Sequence, residues 1–485
     1  MAPLRTLLLL LLALLAAAGL VQAGPAAAAG PRDQADCAAA ALKVRDGRIT
    51  VDEDAYYASR VRSGDPLGRP SWTARLEGVY VELRNDDAAY PCTARVPWEG
   101  IKLIRYDGSD RNGRFDASGL GILSVRVDLQ GGGGNDILTG GPNSDVLAGG
   151  PGQDLLRGGN GYDMLIGGED NDRLEGGPGW DHLVGIDEGS IDTLTDNDGR
   201  DVFWSEERRG RGSDRVIGAG PDDVVRVVRS FANAWAGADL SLDGGDLADP
   251  AVPDPAVDAR APSGLQWKSW RGALLPLYQN RTAARADDIN QGSIGDCKAM
   301  AAIFSLAANA PDGTFPIYSR IADFGDGTYG VAFGAAVYRL DSDFVSVQRQ
   351  DGSWGLAFAR FGPRSAVWAM VLEKALAYAT APEPERPRFW RLAGVVSPQE
   401  VWAGFGGADY SRQMFSEFAS SADDLARKLQ ALLDQHRNVV IGVAQAWATV
   451  PGNHAYALVG LVRSGGQVTG IQLFNPWGSD GSSNN

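Results

Sequence analysis

The sequence predicts a multidomain fold, an all-β repeat array followed by an α+β module. Three observations predict it. A nine-residue period runs unbroken through residues 131–184. A Pro, Ala and Asp-rich stretch at 246–262 lacks periodic apolar residues and reads as an extended linker. Beyond it, helical spacing and strand-like apolar runs alternate over residues 264–485. At 485 residues, a chain of ordinary apolar content supports more than one core. Its 61 acidic against 45 basic residues give a net charge of −16, which argues against nucleic-acid binding and suits a soluble protein or one neutralised by cations.

The chain opens on a segment, Met1 to Ala23, that reads as a secretory signal peptide. Arg5 gives the positive start, Leu7 to Val21 the apolar core, and Val21-Gln22-Ala23 the small-residue cleavage site. That run is short for a membrane span and no other segment could cross a bilayer, so the mature chain is expected outside the cell without a membrane span. Export frames the cysteines: Cys37 and Cys92 flank a strand-rich stretch and are expected to form one disulfide, which leaves Cys297 as the odd thiol. Residues 33–130 alternate in segments such as GRITV, GVYVEL and ILSVRVDL between Gly and Asp-rich turns. The last of these strands runs into the repeats, and the region is expected to cap the first coil.

Six units follow: GGGGNDILT, GGPNSDVLA, GGPGQDLLR, GGNGYDMLI, GGEDNDRLE and GGPGWDHLV. Each ends its turn in aspartate (Asp136, Asp145, Asp154, Asp163, Asp172, Asp181) and places leucine two residues later (Leu138, Leu147, Leu156, Leu165, Leu174, Leu183). The pattern resembles the GGxGxDxUx repeat of RTX proteins, which implies a calcium-loaded parallel β-roll over residues 131–228. The chemistry agrees. Glycines allow the turn, its carbonyls and a carboxylate supply the all-oxygen shell that Ca²⁺ prefers, and the leucines fill a thin core. Two repeats then make one coil, and coils without metal would stack repelling carboxylates, so folding is expected to require calcium, with the six aspartates as ligands. A disordered linker would share the composition but not the fixed leucine period. After Gly185 the pattern degrades, yet Asp192, Asp201, Asp214 and Asp223 echo it. These echoes are expected to continue the stack without a full set of metal sites. His182 falls at a variable repeat position and reads as a surface residue.

The α+β module is organised around QGSIGDCKAMAAIFSL, Gln291 to Leu306. Met300, Ile303, Phe304 and Ala307 recur at helical spacing, while Gly292 and Gly295 let the preceding backbone turn tightly. Cys297 then sits at the positive end of a helix, where thiolate is favoured over thiol. Far downstream, GNHAYALVGL holds His454 and LFNPWG holds Asn475, each in a strand-like run. A Cys, His, Asn order supplies a nucleophile, a base that takes its proton, and an amide that orients the base. QGSIGDC, GNHAY and FNPWG resemble the three signatures of the calpain family of papain-like cysteine proteases, and AVWAMVLEKALAYA resembles a further segment of that family. The resemblance spans Leu275 to the C-terminus. It implies a papain-like fold with Cys297 as nucleophile, His454 as general base and acid, Asn475 as orienter, and Gln291 as a side-chain oxyanion donor beside the Cys297 amide. Trp477 would shield the His454 to Asn475 hydrogen bond, and Glu373-Lys374 matches the family's E-K pair, read as structural. Two positions depart from the family. Lys298 stands where an aromatic residue commonly follows the nucleophile, and only PWGSDGSSNN follows Asn475.

Ser421 to Asp424 reads as a helix start, with Leu425, Leu429, Leu432 and Leu433 as the buried stripe and His436 at its far end. The VVIGV, HAYALVGL and VTGIQLF runs then read as neighbouring strands that bring His454 and Asn475 together. These features describe a secreted, calcium-dependent, calpain-like cysteine endopeptidase acting on protein or peptide substrates. The alternative is a non-catalytic calcium-binding surface or adhesion protein with a degenerate protease domain. A third reading is a papain-fold acyltransferase, against which the calpain-like motifs argue.

Overall fold

A computed structural model describes residues 42–60, 70–86, 92–121, 124–187, 190–196, 198–208, 212–232, 265–269, 277, 289, 297–309, 315–325, 327–341, 343–348, 351–356, 366–380, 392, 396–406, 413–443 and 454–476. The signal-like segment, Cys37, the 246–262 linker, Gln291 and Trp477 lie outside the described residues.

The repeats form a parallel solenoid. Each nine-residue unit contributes a strand of three or four residues and a turn, and successive strands enter opposite sheets, so from the second unit on each strand residue stacks on the one eighteen positions earlier. Thus Leu156 lies between Leu138 and Leu174, and Leu165 between Leu147 and Leu183. All six repeat leucines are fully buried in one cluster that continues into Phe115, Leu129, Leu194 and Phe203. The close stacking explains the second glycine of the repeat. Gly150 and Gly168 have φ of 105° and 116°, and a Cβ on either would collide with the carbonyl of the coil beneath, Gly132 or Gly150.

The stack extends beyond the regular units in both directions. Downstream, Thr193–Thr195, Val202–Arg208, Arg215–Ile217 and Val224–Val228 add parallel strands. The coil lengthens there, as the pairings His182 with Val202 and Val202 with Val224 show. Upstream, Arg48–Asp52, Leu103–Asp107 and Arg126–Gln130 join one sheet, while Ser71–Glu77 and Arg114–Gly119 join the other. Glu53, fully buried at this end, accepts from Tyr106 Oη and Ser109 Oγ, both at 2.7 Å. Cys92, in the Cys92–Pro97 strand, is disulfide-bonded.

The downstream region is mixed α/β. The Cys297–Asn309 helix packs on the strands Val440–Val443 and His454–Ser464, which form an antiparallel sheet with Gln467–Phe474. The Trp368–Ala379 helix is buried along nearly its whole length against Thr328–Phe333 and Ala336–Asp341. Lys374 Nζ on this helix bridges to Asp341 Oδ1 at 2.5 Å. Ser421 caps the Ala422–Asp434 helix, its hydroxyl accepting from the Asp424 amide at 3.2 Å, and Leu429 is buried beneath it. No helix among the described residues is long and apolar enough to cross a membrane.

The roll is docked on this region. Val146, Met164, Ile166, Val184, Val202, Trp204 and Val228 point away from the leucine core and enter the same apolar cluster as Cys297, Phe315, Tyr318, Phe324 and Trp368. Arg226 Nε donates to the Ser319 carbonyl, and the Ala232 amide donates to Val337 O at 2.7 Å. His182 is therefore not a surface residue. It is completely buried, its ring 4.9 Å from that of Tyr318 and 6.4 Å from that of Trp204. Its repeat position does point away from the roll's own core. Tyr318, which it meets there, belongs to a segment more than a hundred residues away, which the period could not reveal.

Candidate active site and calcium turns

Cys297 is the first residue of its helix, not in a disulfide, and buried. The sequence CKAMAAIFSLAAN is rich in strong helix formers, and its first turn carries no acidic residue to oppose a thiolate at the helix's positive end. His454 opens the long strand opposite, paired with Val443, and is buried. Further along that strand Ala457 pairs with Phe474, which sets Asn475 beside the histidine. His454 Nε2 and Asn475 Oδ1 are 2.8 Å apart. The amide oxygen can only accept, so Nε2 carries the proton and Nδ1 holds the lone pair. Burial lowers the pKa of His454, with the Asn475 hydrogen bond opposing that shift. Burial therefore favours the neutral form of this imidazole.

Sequence reasoning missed two neighbours. Tyr456, buried two residues beyond His454, meets its ring edge-on at 4.7 Å, and burial and then charge at Cys297 raise its pKa. Phe304, on the cysteine helix, stacks on Phe474 with centroids 3.5 Å apart, and Ser305 Oγ accepts from the Val439 amide at 3.1 Å. These contacts join the cysteine helix to the sheet that carries His454 and Asn475. Period-two spacing from His454 was the available signal for Tyr456; the Phe304 contact depends on how helix and sheet pack and left none. Lys298 is exposed, and His436 is an exposed residue at φ 52° just past the Ala422–Asp434 helix.

Along the roll's edges the repeat aspartates form ladders. Asp154 Oδ1 accepts from the Asp136 amide at 2.7 Å, and the same bond recurs from Asp145 to Asp163, Asp154 to Asp172 and Asp163 to Asp181, each at 2.8 Å. One oxygen per carboxylate is so engaged. The other, Oδ2, is buried without a hydrogen-bond partner in Asp136, Asp154, Asp163, Asp172 and Asp181, whereas Asp145 Oδ2 accepts from the Gly141 amide at 2.7 Å. Burial pushes Asp136, Asp145 and Asp154 up to about 7, Asp172 to about 9 and Asp181 to about 10, with neighbouring aspartates adding to all but Asp145. Burial and Asp145 also raise Asp163 well above its ordinary value. Buried carboxylate oxygens that lack a donor fit a cation, and an all-oxygen set in glycine turns fits calcium. The ladder also outlasts the regular repeats. Asp172 and Asp181 amides donate to Asp192 and Asp201 at 2.7 and 2.9 Å, and burial raises Asp192 to about 10.

Taken together, the described residues define a solenoid with cation-binding turns joined to an α/β domain that carries a thiol at a helix start. The family comparisons make both halves specific. Residues 130–165 and 157–185 match the RTX calcium-binding nonapeptide repeat, and residues 256–483 match the calpain family cysteine protease. The chain carries RTX calcium-binding repeats followed by a calpain-family cysteine protease domain, a calcium-linked combination. No curated protein matches it.

Proposed function

We propose that this chain is a secreted, calcium-dependent cysteine endopeptidase in which Cys297, His454 and Asn475 form the catalytic triad. His454 Nδ1 takes the Cys297 proton, and the thiolate attacks the scissile carbonyl carbon of a protein or peptide substrate. The tetrahedral oxyanion is met by the Cys297 amide and by the Gln291 side chain, which lies outside the described residues. His454 returns the proton to the leaving amine, leaving a thioester. It then takes a proton from water, which attacks and releases the acid. Asn475 keeps the imidazole in the tautomer that leaves Nδ1 basic. The observation that carries this reading is the 2.8 Å bond between His454 and Asn475, set by strand pairing beside the cysteine helix. Calcium, held in the roll's turns, supplies positive charge that lets the stacked carboxylates remain ionised in the folded chain. Secretion is proposed from the repeats, typical of exported proteins, and from Met1 to Ala23.

The test is hydrolysis of an unstructured protein by the wild type and by Cys297→Ala and His454→Ala. Each substitution is expected to lower turnover by about three orders of magnitude or more while the circular dichroism response to calcium stays unchanged. Asn475→Ala is expected to retain more activity than either. Wild-type hydrolysis that persists in Cys297→Ala would overturn the assignment. A wild-type chain that cleaves nothing and ignores a thiol-directed probe, yet binds calcium, would be the calcium-binding surface protein instead.

A further inference from the structure

Where the roll abuts the protease domain its repeats break period, and the break adds a carboxylate. In each of the six regular units, the residue five positions before the aspartate is glycine, from Gly131 to Gly176. Ahead of Asp201 that residue is Asp196, and it stacks directly on Gly176, whose amide donates to Thr195 O at 3.1 Å. A Cβ on Gly176 would run into Asp196 Oδ2 and also meet Asp181 Oδ2, so both carboxylates converge on the space the glycine leaves open.

One oxygen from each of Asp181, Asp196 and Asp201 lies within 4.8 Å of the other two, in one such group among the described residues, and all three side chains are buried. Asp181 is completely buried, and its Oδ2 receives no hydrogen bond. Calcium binds oxygens at about 2.3–2.6 Å, so three carboxylate oxygens gathered this closely are near the spacing that one ion bridges. A regular step of the ladder stacks one repeat aspartate on the next; this step has a third acidic side chain. The group also lies where the roll grips its neighbour. Trp180, beside Asp181, meets the Phe315 ring edge-on at 5.8 Å, and the Arg200 guanidinium, beside Asp201, lies 3.7 Å from the same ring.

We infer that Asp181, Asp196 and Asp201 form a three-carboxylate calcium site, and that filling it fixes Trp180 and Arg200 around Phe315, coupling the roll's calcium to the protease domain. Neither half depends on peptidase activity. The test uses the full chain in a Cys297→Ala background, to prevent self-cleavage, with Asp196→Gly, which restores the repeat's own glycine, and Asp196→Asn, which keeps size and hydrogen bonding. Calcium titration calorimetry should show both variants losing about tenfold or more in the tightest binding step while the weaker steps persist. Unchanged affinity and stoichiometry in both would overturn the site. Hydrogen exchange over residues 315–325, read at calcium just sufficient to protect the wild type, should rise in both variants. The same substitution made in a regular unit, Asp154→Asn, should leave it protected. Equal exchange in Asp196→Asn and Asp154→Asn would overturn the coupling.

Discussion

Alternate units of the roll send their strands to alternate sheets, and the residues flanking the buried leucine differ between the two. In one sheet the outward positions are Val146 and Ala148, Met164 and Ile166, His182 and Val184, then Val202 and Trp204. In the other they are Ile137 and Thr139, Leu155 and Arg157, Arg173 and Glu175, then Thr193 and Thr195. The first set is apolar apart from His182 and lies under the protease domain. The second grows polar along the stack and carries ion pairs from Arg157 and Arg173 to Glu175, at 2.8 and 2.6 Å. The nine-residue period therefore specifies the core, and its eighteen-residue multiple specifies which face is covered.

The largest effect on this contrast comes from removing calcium. A chelated chain keeps its leucines but is left with buried carboxylates and no counter-ion, so the roll's β signal should collapse and both faces with it. Because Met164, Ile166 and Trp204 share a cluster with Phe324 and Trp368, protection of the protease domain against hydrogen exchange should fall as well. Retained protection in that domain, with the β signal gone, would show that docking contributes little to it.

Which parts were readable follows from the same contrast. The leucine core and the six ladder aspartates recur locally, so one sequence sufficed to find them. His454 and Asn475 were readable because short local motifs carry them. The docked face was not, because Met164 and Val184 declare it only when every second unit is compared and a partner segment is supplied. The Phe304 to Phe474 contact was hidden for the same reason, being fixed by the packing of a helix on a sheet far along the chain. Asp201 was readable as an echo of the repeat, but the approach of Asp196 to Gly176 was not, because the coil there lengthens from eighteen residues to twenty.

Acid should separate the two regions next. Asp136, Asp145 and Asp154 are raised from 3.8 to about 7, and Asp172 and Asp181 to about 9 and 10, so without calcium the folded roll binds more protons than the unfolded chain. Its stability is then highest near pH 4 and falls as pH rises through 7 and beyond. His182 runs the other way. Burial first, and then the charge of Arg226, lower it from 6.5 to about 3, so stability of the docked face is lost as pH falls from 6.5 towards 3. Chelated protein followed by circular dichroism should therefore regain β signal on acidification, while calcium-loaded protein followed by tryptophan fluorescence should loosen. In a His182→Phe variant the acid loosening should shrink; an unchanged profile would remove the histidine from this account.

At neutral pH in calcium, Trp204→Ala should destabilise the docked face by about 3–5 kcal/mol, as expected for a fully buried aromatic side chain. Thermal unfolding monitored across the protease domain reads the loss. A cost near zero would mean that the face seen here is not closed in solution.

The smallest effect belongs to the open face, and its size sets the scale for the rest. Glu175 receives Arg157 and Arg173, but the arginine side chains are 43% and 56% exposed, so water competes for every charge in the group. Burial alone would raise the Glu175 pKa, yet hydrogen bonds from Arg173 and Arg157 bring it below its ordinary value. Exposed pairs of this kind contribute about 0–1 kcal/mol each and weaken further in salt. Glu175→Gln keeps the shape of the side chain and removes its charge, so thermal unfolding in calcium should shift slightly in low salt and not measurably in high salt. Leu174 between the two positions stays buried in either case, because the substitution changes the outward residue only. A loss comparable to that of Trp204→Ala would mean that the second face is also covered, and the asymmetry between the two sheets would then need a partner on both sides.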